Sequence, residues 1–138
     1  MNFIAIYQSS FDRVMAVNDH TESFFEDFYQ NFINSSGEVA CKFRNVDMER
    51  QKRVLKESLR HILSLFISTE ENNYIKEIAK VHNRDNLDIW PVLYDLWLES
   101  LIETVKKYDE KFDEDIELSW RMVMSIGITY MKFKYDHS

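Results

Sequence analysis

Ile78-Ala-Lys-Val-His-Asn-Arg-Asp-Asn-Leu-Asp-Ile-Trp90 is the stretch from which the rest of the chain can be read. Its first half continues the period of Tyr74 and Ile75, so Tyr74, Ile75, Ile78, Ala79 and His82 share one helix face. His82 closes that face just before a polar connection, Asn83 to Asp88, in which Leu87 is the one apolar residue. A lone histidine at a helix end is ordinarily a C-terminal cap, because an imidazole there meets the unpaired carbonyls of the last turn. Whether His82 is more than a cap depends on its company.

The surroundings are helical by composition. Among 138 residues there are two Gly and one Pro, so the tight turns that hairpins and sandwiches require are nearly absent. With 45% apolar residues, ten Phe, seven Tyr and three Trp, the chain can bury a substantial core. One domain, residues 1–138, is expected. The formal net charge of −7, with both signs interspersed, argues against a nucleic-acid partner, since a phosphate backbone would be repelled. The basic run Arg50, Lys52, Arg53 and Lys56 reads as a solvated helix face. Cys41 cannot form an internal disulfide and reads as a small buried residue in a reducing cytoplasm. No apolar run is long enough to span a membrane, and the N-terminal residues lack the basic leader of a signal peptide, so a cytoplasmic protein with no membrane partner is expected.

Outward from His82 the periodicity predicts further helices. Phe3 to Val17 carries apolar residues at 4, 7, 11, 14 and 15, and Asn18 and Asp19 interrupt it. Asp19 to Ile33 presents a heavy aromatic face, Phe24, Phe25, Phe28, Tyr29 and Phe32, and Gly37 is the expected left-handed terminator after it. A short segment, Glu38 to Phe43, follows. Asp47 is a plausible cap for a helix running to about Ser68, whose inward stripe includes 51, 54, 55, 58, 59 and 62. In that stripe only Gln51 and Ser58 are polar, so they sit at a rim or face a cavity that holds something polar. Asp88, with Pro91 in the first turn, announces a helix to about Tyr108. After the acidic linker Asp109 to Asp115, a last helix covers about Ile116 to Tyr135.

Several chemistries fail on the residues. The histidines at 20, 61, 82 and 137 are too scattered for a zinc site, and Gly37 and Gly127 stand alone, so no glycine-rich phosphate loop exists. Cys41 has no local histidine partner, and carboxylate clusters such as Glu110, Asp113 and Glu114 read as solvated linker charges.

What remains is an ordered constellation. Phe28-Tyr29, followed fourteen residues after the tyrosine by Phe43, then Gln51 and Leu55 one turn apart, then Ile-Ala-Lys-Val-His82, resembles the bacterial single-domain globins and the haem domain of flavohaemoglobins. The likeness continues through Leu101-Ile-Glu-Thr-Val105 and Ser119-Trp120, and so spans nearly the whole chain.

The resemblance implies an all-α globin fold of roughly six to eight helices around a pocket for haem b. It implies His82 as the proximal ligand to the iron and Phe43, Leu55 and Leu87 against the porphyrin. Tyr29 and Gln51 would be the distal pair that hydrogen-bonds dioxygen, and Tyr94 a hydroxyl near the proximal histidine. Dioxygen, carbon monoxide and nitric oxide are then the expected ligands. If each distal hydrogen bond contributes about 1 to 2 kcal/mol, oxygen release slows by about tenfold per 1.4 kcal/mol. Two departures limit the carry-over: Tyr94 lies about two residues further from His82 than the flavohaemoglobin pattern has it, and Tyr135 stands where that pattern has a glutamate. The 138 residues also leave no room for the flavin and nicotinamide domains of flavohaemoglobins, so nitric oxide dioxygenation would need an external reductase; an oxygen-binding protein is the first reading, with scavenging or gas sensing as roles. A haem-free globin-fold sensory or interaction module is the alternative, and either a monomer or a homodimer is compatible with the sequence.

Overall fold

The computed structural model describes residues 2–16, 20–62, 73–83 and 90–136. Among them are seven α-helices and no strand. Helix α1 spans Phe3–Ala16 and α2 spans His20–Asn34. The short α3 is Gly37–Lys42, α4 is Met48–His61 and α5 is Asn73–His82. The two long helices α6, Leu93–Tyr108, and α7, Glu114–Lys134, complete the chain.

Two pairs, α1 with α7 and α2 with α6, carry the core, and α6 also packs against α7. Each pairing follows from an apolar stripe. In α1 the buried residues Tyr7, Phe11 and Val14 recur at helical spacing, and the Tyr7 ring meets Trp120 of α7 edge-on at 4.7 Å between centroids. In α2 the expected aromatic face is buried throughout: Phe24 meets Tyr108 at 5.6 Å and Phe28 meets Trp97 at 5.9 Å, both edge-on against α6. Such contacts add about 0.5 to 1.5 kcal/mol each beyond the area they bury. Helices α4 and α5 touch each other, with α4 against α2 and α5 against α7.

Buried polar groups tie the same pairs. Asp109, in the α6–α7 connection, accepts both a forked pair of 2.9 Å bonds from Arg13 and a bond from the Ser10 hydroxyl. Ser10 in turn accepts from the Trp120 indole at 2.8 Å, and the Tyr7 hydroxyl donates to the Leu59 carbonyl of α4 at 2.8 Å. Burial opposes ionisation of Asp109, but the bonds from Arg13, Ser10 and the Lys111 amide outweigh it and hold the carboxyl below its ordinary pKa.

The helix ends differ from expectation in instructive ways. Asp47 does cap α4, accepting from the Arg50 amide, and Asp113 caps α7 by accepting from the Ile116 amide. Gly37, expected as a left-handed terminator, instead opens α3, because the Ser36 hydroxyl accepts from the Val39 amide and starts a new helix. Pro91 lies outside regular helix: Leu93, Tyr94 and Asp95 donate to the carbonyls three residues earlier, making a tighter turn that leads into α6. Cys41 is exposed, not buried, since Val39 takes the inward position of the single turn that α3 provides. Lys52, expected on the solvated face of α4, has a buried stem, with its ammonium 2.9 Å from Glu49 and 3.6 Å from Glu26. The expected continuation of α4 to Ser68, the Asp88 cap and Leu87 lie outside the described residues.

Candidate functional site

The pairing of α2 with α6 and of α1 with α7 leaves an open side, and there a cleft is bounded by α2, α4, α5, α6 and α7. It has two lobes with free volumes of about 690 and 480 Å³. Tyr29, Gln51, His82, Tyr94 and Trp97 line both lobes, so the lobes are parts of one space.

The sequence-predicted residues converge on this space. Tyr29 comes from α2, Gln51 and Leu55 from α4, His82 from the last position of α5, and Tyr94 from the first turn of α6. Phe43, immediately after α3, lines the smaller lobe, its ring 5.7 Å from Tyr29 and 5.8 Å from Phe32. Leu87 is outside the described residues. The stripe of α4 behaves as its periodicity predicts: Leu55 and Leu59 are buried, and both polar members, Gln51 and Ser58, line the larger lobe. His61, read as a surface residue, is partly exposed, with its Nε2 3.7 Å from Glu57.

The electrostatics of the cleft are set by hydroxyl and amide groups in apolar surroundings. Tyr29 is only 4% exposed, and its hydroxyl donates to the main-chain carbonyl of Gln51 at 3.3 Å. Burial pushes the Tyr29 phenol well above its ordinary pKa, so it is a proton donor across the physiological range; the bond to Gln51 opposes this only in part. Burial likewise raises Tyr94. The Gln51 contact runs through its backbone, which leaves the carboxamide out of that bond.

One wall was not visible in the sequence. Met124, Gly127, Ile128 and Met131 of α7 close the larger lobe. Their spacing of three, one and three marks a helix face, but nothing local shows that this face looks onto a cavity. Gly127 permits the closure, since a Cβ there would overlap the Ile62 side chain at the end of α4. Trp97 of α6 and Lys42 of α3 are further lining residues that sequence reasoning passed over.

These residues suit haem. A porphyrin needs broad apolar walls, an imidazole able to reach iron and shielding from water; the cleft has Leu55, Val54, Ile62, Phe43 and the α7 methionines as walls and His82 as the imidazole. Among the described residues, no group of three His, Cys, Asp or Glu could hold a bare metal ion, and no helix is long and apolar enough to cross a membrane.

No family model matches the chain, and no curated protein does. Among solved structures, a protein of Pseudomonas aeruginosa described as structurally highly homologous to a human hemoglobin superposes with a TM-score of 0.86. The two share 32% sequence identity over 97% of this chain and 98% of that one. Likeness at that identity over almost the full length of both chains reaches beyond architecture, and it agrees with the all-helical fold built around this cleft. The chain therefore has the globin fold and belongs to the bacterial single-domain globins.

Proposed function

We propose that the cleft holds haem b and that the chain reversibly binds dioxygen and other diatomic gases, carbon monoxide and nitric oxide among them. The observation that carries this reading is the convergence of His82, Tyr29, Gln51 and Leu55, from three helices, on one largely apolar space. The described globin relative supports it at the level of the fold. Haem, when bound, supplies an iron that binds a diatomic ligand and shares electron density with it.

The remaining chemistry belongs to the side chains. His82 offers its imidazole at the C-terminal end of α5, where it lines both lobes of the cleft. Phe43 contributes ring area against a porphyrin face and is itself held by Tyr29 and Phe32. Leu55 and Val54 exclude water from the ligand side. Tyr29 keeps its proton and can turn its hydroxyl from the Gln51 carbonyl toward a polarised ligand. The carbonyl it leaves belongs to a helical residue, so the exchange costs little. The Gln51 carboxamide is the second donor. Two donors of about 1 to 2 kcal/mol each favour dioxygen over carbon monoxide, which accumulates less charge. Slow release suits scavenging or sensing better than rapid delivery, and nitric oxide removal would draw electrons from an external reductase.

The visible absorption spectrum tests the reading. Purified protein, reduced anaerobically and then exposed to oxygen or carbon monoxide, should show a Soret band that shifts with each gas. His82→Ala should abolish it while circular dichroism shows the helices retained. A protein that stays colourless and takes up no added haemin would overturn the proposal and leave the haem-free module.

A further inference from the structure

We propose that the outer face of α7 joins two copies of this chain in an antiparallel homodimer, the ridge of Leu118, Met122 and Ile126 on one copy seating against Ser125 and Thr129 of the other.

Helix α7 has two apolar faces, where a helix at the surface of a single domain needs one. Its inner face, with Trp120, Val123, Met124, Gly127 and Ile128, is buried against the core and the cleft. Its outer face carries Leu118, Met122, Ile126 and Phe133, which are between 37 and 57% exposed. With Ser125 and Thr129 they make a strip about 22 Å long, at 1.5 Å of rise per residue, that holds no charged side chain. A continuous apolar strip left in water over four turns of one helix marks a contact surface.

The strip has a shape that fits itself. Leu118, Met122 and Ile126, four residues apart, form a ridge, and Ser125 and Thr129 form a low row beside it that ends at Phe133. Ridge and furrow lie side by side on one helix, so a second copy turned about a two-fold axis seats its ridge in this furrow and offers its own furrow in return. The furrow can also shed its water: the Ser125 hydroxyl donates to the Met122 carbonyl at 2.9 Å and needs no other partner. Beside the strip, the Arg121 guanidinium is held by Glu99 at 2.7 and 3.1 Å and by Glu117 at 3.0 Å, so its charge is already balanced.

The helix ends set the direction. Helix α7 begins with Glu114, Asp115 and Glu117 and finishes with Lys132 and Lys134. Antiparallel packing brings each acidic start near the other copy's basic end and opposes the two helix dipoles, whereas parallel packing sets like charges together. Lys132, 3.6 Å from Asp95, still has a side chain 40% exposed. A single helix face offers less than the roughly 800 Å² per partner of a standard interface, so the dimer should be reversible.

Sedimentation velocity of the full chain from about 1 to 200 µM, the range in which micromolar complexes assemble, tests this. The native mass should rise from monomer to dimer with concentration. Ile126→Glu, at an exposed position, should keep its helices by circular dichroism and stay monomeric throughout. Ser125→Leu separates a shaped contact from a merely sticky one: filling the furrow should weaken the dimer by about tenfold, and tighter association would overturn the proposal. A zero-length carbodiimide reagent should link Lys132 or Lys134 to Glu114, Asp115 or Glu117 within the dimer band, a pairing that one helix cannot make along its own length. A dimer without such links would overturn the antiparallel arrangement, and a dimer that survives Ile126→Glu would place the interface elsewhere and overturn the role of the strip. A native chain still monomeric at the highest concentration would overturn the proposal and leave the strip to a partner other than this chain.

Discussion

The Tyr29 hydroxyl donates to the main-chain carbonyl of Gln51 across 3.3 Å, and this places a phenol from α2 over the first turn of α4, inside the cleft that His82 also lines. The bond is long, and its acceptor is a carbonyl within a helix, so the hydroxyl is positioned more than it is consumed. A donor held in that way is ready for a ligand that enters the cleft.

Tyr29→Phe removes that donor and keeps the ring contacts with Phe28 and Phe43, at 4.8 and 5.7 Å. Stability should change by less than about 1 kcal/mol, since the lost bond is a weak one. The oxygen dissociation rate of the haem-loaded protein should rise about tenfold, the change expected from about 1.4 kcal/mol. Stopped-flow replacement of oxygen by carbon monoxide reads the rate directly, and an unchanged rate would remove Tyr29 from the ligand side.

Alkaline pH should unfold the protein. Burial raises the phenols of Tyr7, Tyr29 and Tyr94 above their ordinary value, so the folded chain keeps protons that the unfolded chain releases near pH 10. A group whose folded pKa is raised contributes fully below its unfolded pKa and loses that contribution as pH rises toward the folded one. Each tyrosine can therefore withdraw up to about 1.4 kcal/mol per pH unit above pH 10. Urea midpoints should be level between pH 7 and 9 and fall steeply by pH 11. Tyr7→Phe, which removes one of these groups, should make the fall shallower.

Asp109→Ala removes the acceptor that Arg13, Ser10 and the Lys111 amide share, 96 residues along the chain from Arg13. The remaining partners would be left partly buried without it. A loss of about 2 to 4 kcal/mol is expected, less than for a wholly dry pair because Arg13 is 28% exposed. Denaturant titration measures this. The wild-type contribution of Asp109 is present above the unfolded carboxyl value and should fade as pH falls through its depressed folded pKa.

The two glycines should answer oppositely to added bulk. A Cβ at Gly37 meets nothing within 4 Å, and the residue is helical, so Gly37→Ala should stabilise by about 0.5 to 1 kcal/mol. A Cβ at Gly127 would overlap Ile62, and both residues line the larger lobe. Gly127→Val should therefore push α4 and α7 apart or drive Ile62 into the cleft. Thermal midpoints compare the stabilities, and haemin titration should show weakened uptake for Gly127→Val alone.

Much of this arrangement could be read before any coordinates. The glycine and proline counts excluded sheet architectures, and the period-3.6 stripes located α1, α2 and α7, the start of α4 and the end of α6 to within a few residues. Gln51 and Ser58 stood out as polar members of an inward stripe, and both line the cleft. Helix ends were less legible. Ser36 and Gly37 can terminate one helix or begin the next, and the choice depended on whether the Val39 side chain found a buried site. Cys41 and Lys52 were misplaced for a related reason: burial of a single residue in a short or charged segment is decided by the neighbouring helix, not by its own period.

By itself the sequence determined an all-helical chain, the faces its helices turn inward and the order of residues that mark a globin. Periodicity and composition suffice for that, because each helix must bury its own apolar stripe. Only the tertiary structure decided that α7 closes the cleft through Met124, Gly127 and Met131, that Asp109 joins Arg13 and Ser10, and that the Lys42 ammonium lies over the Trp90 ring. Those relations join residues far apart along the chain, and no local pattern encodes a distant partner. They arise where helix packing leaves space at one place and brings side chains together at another.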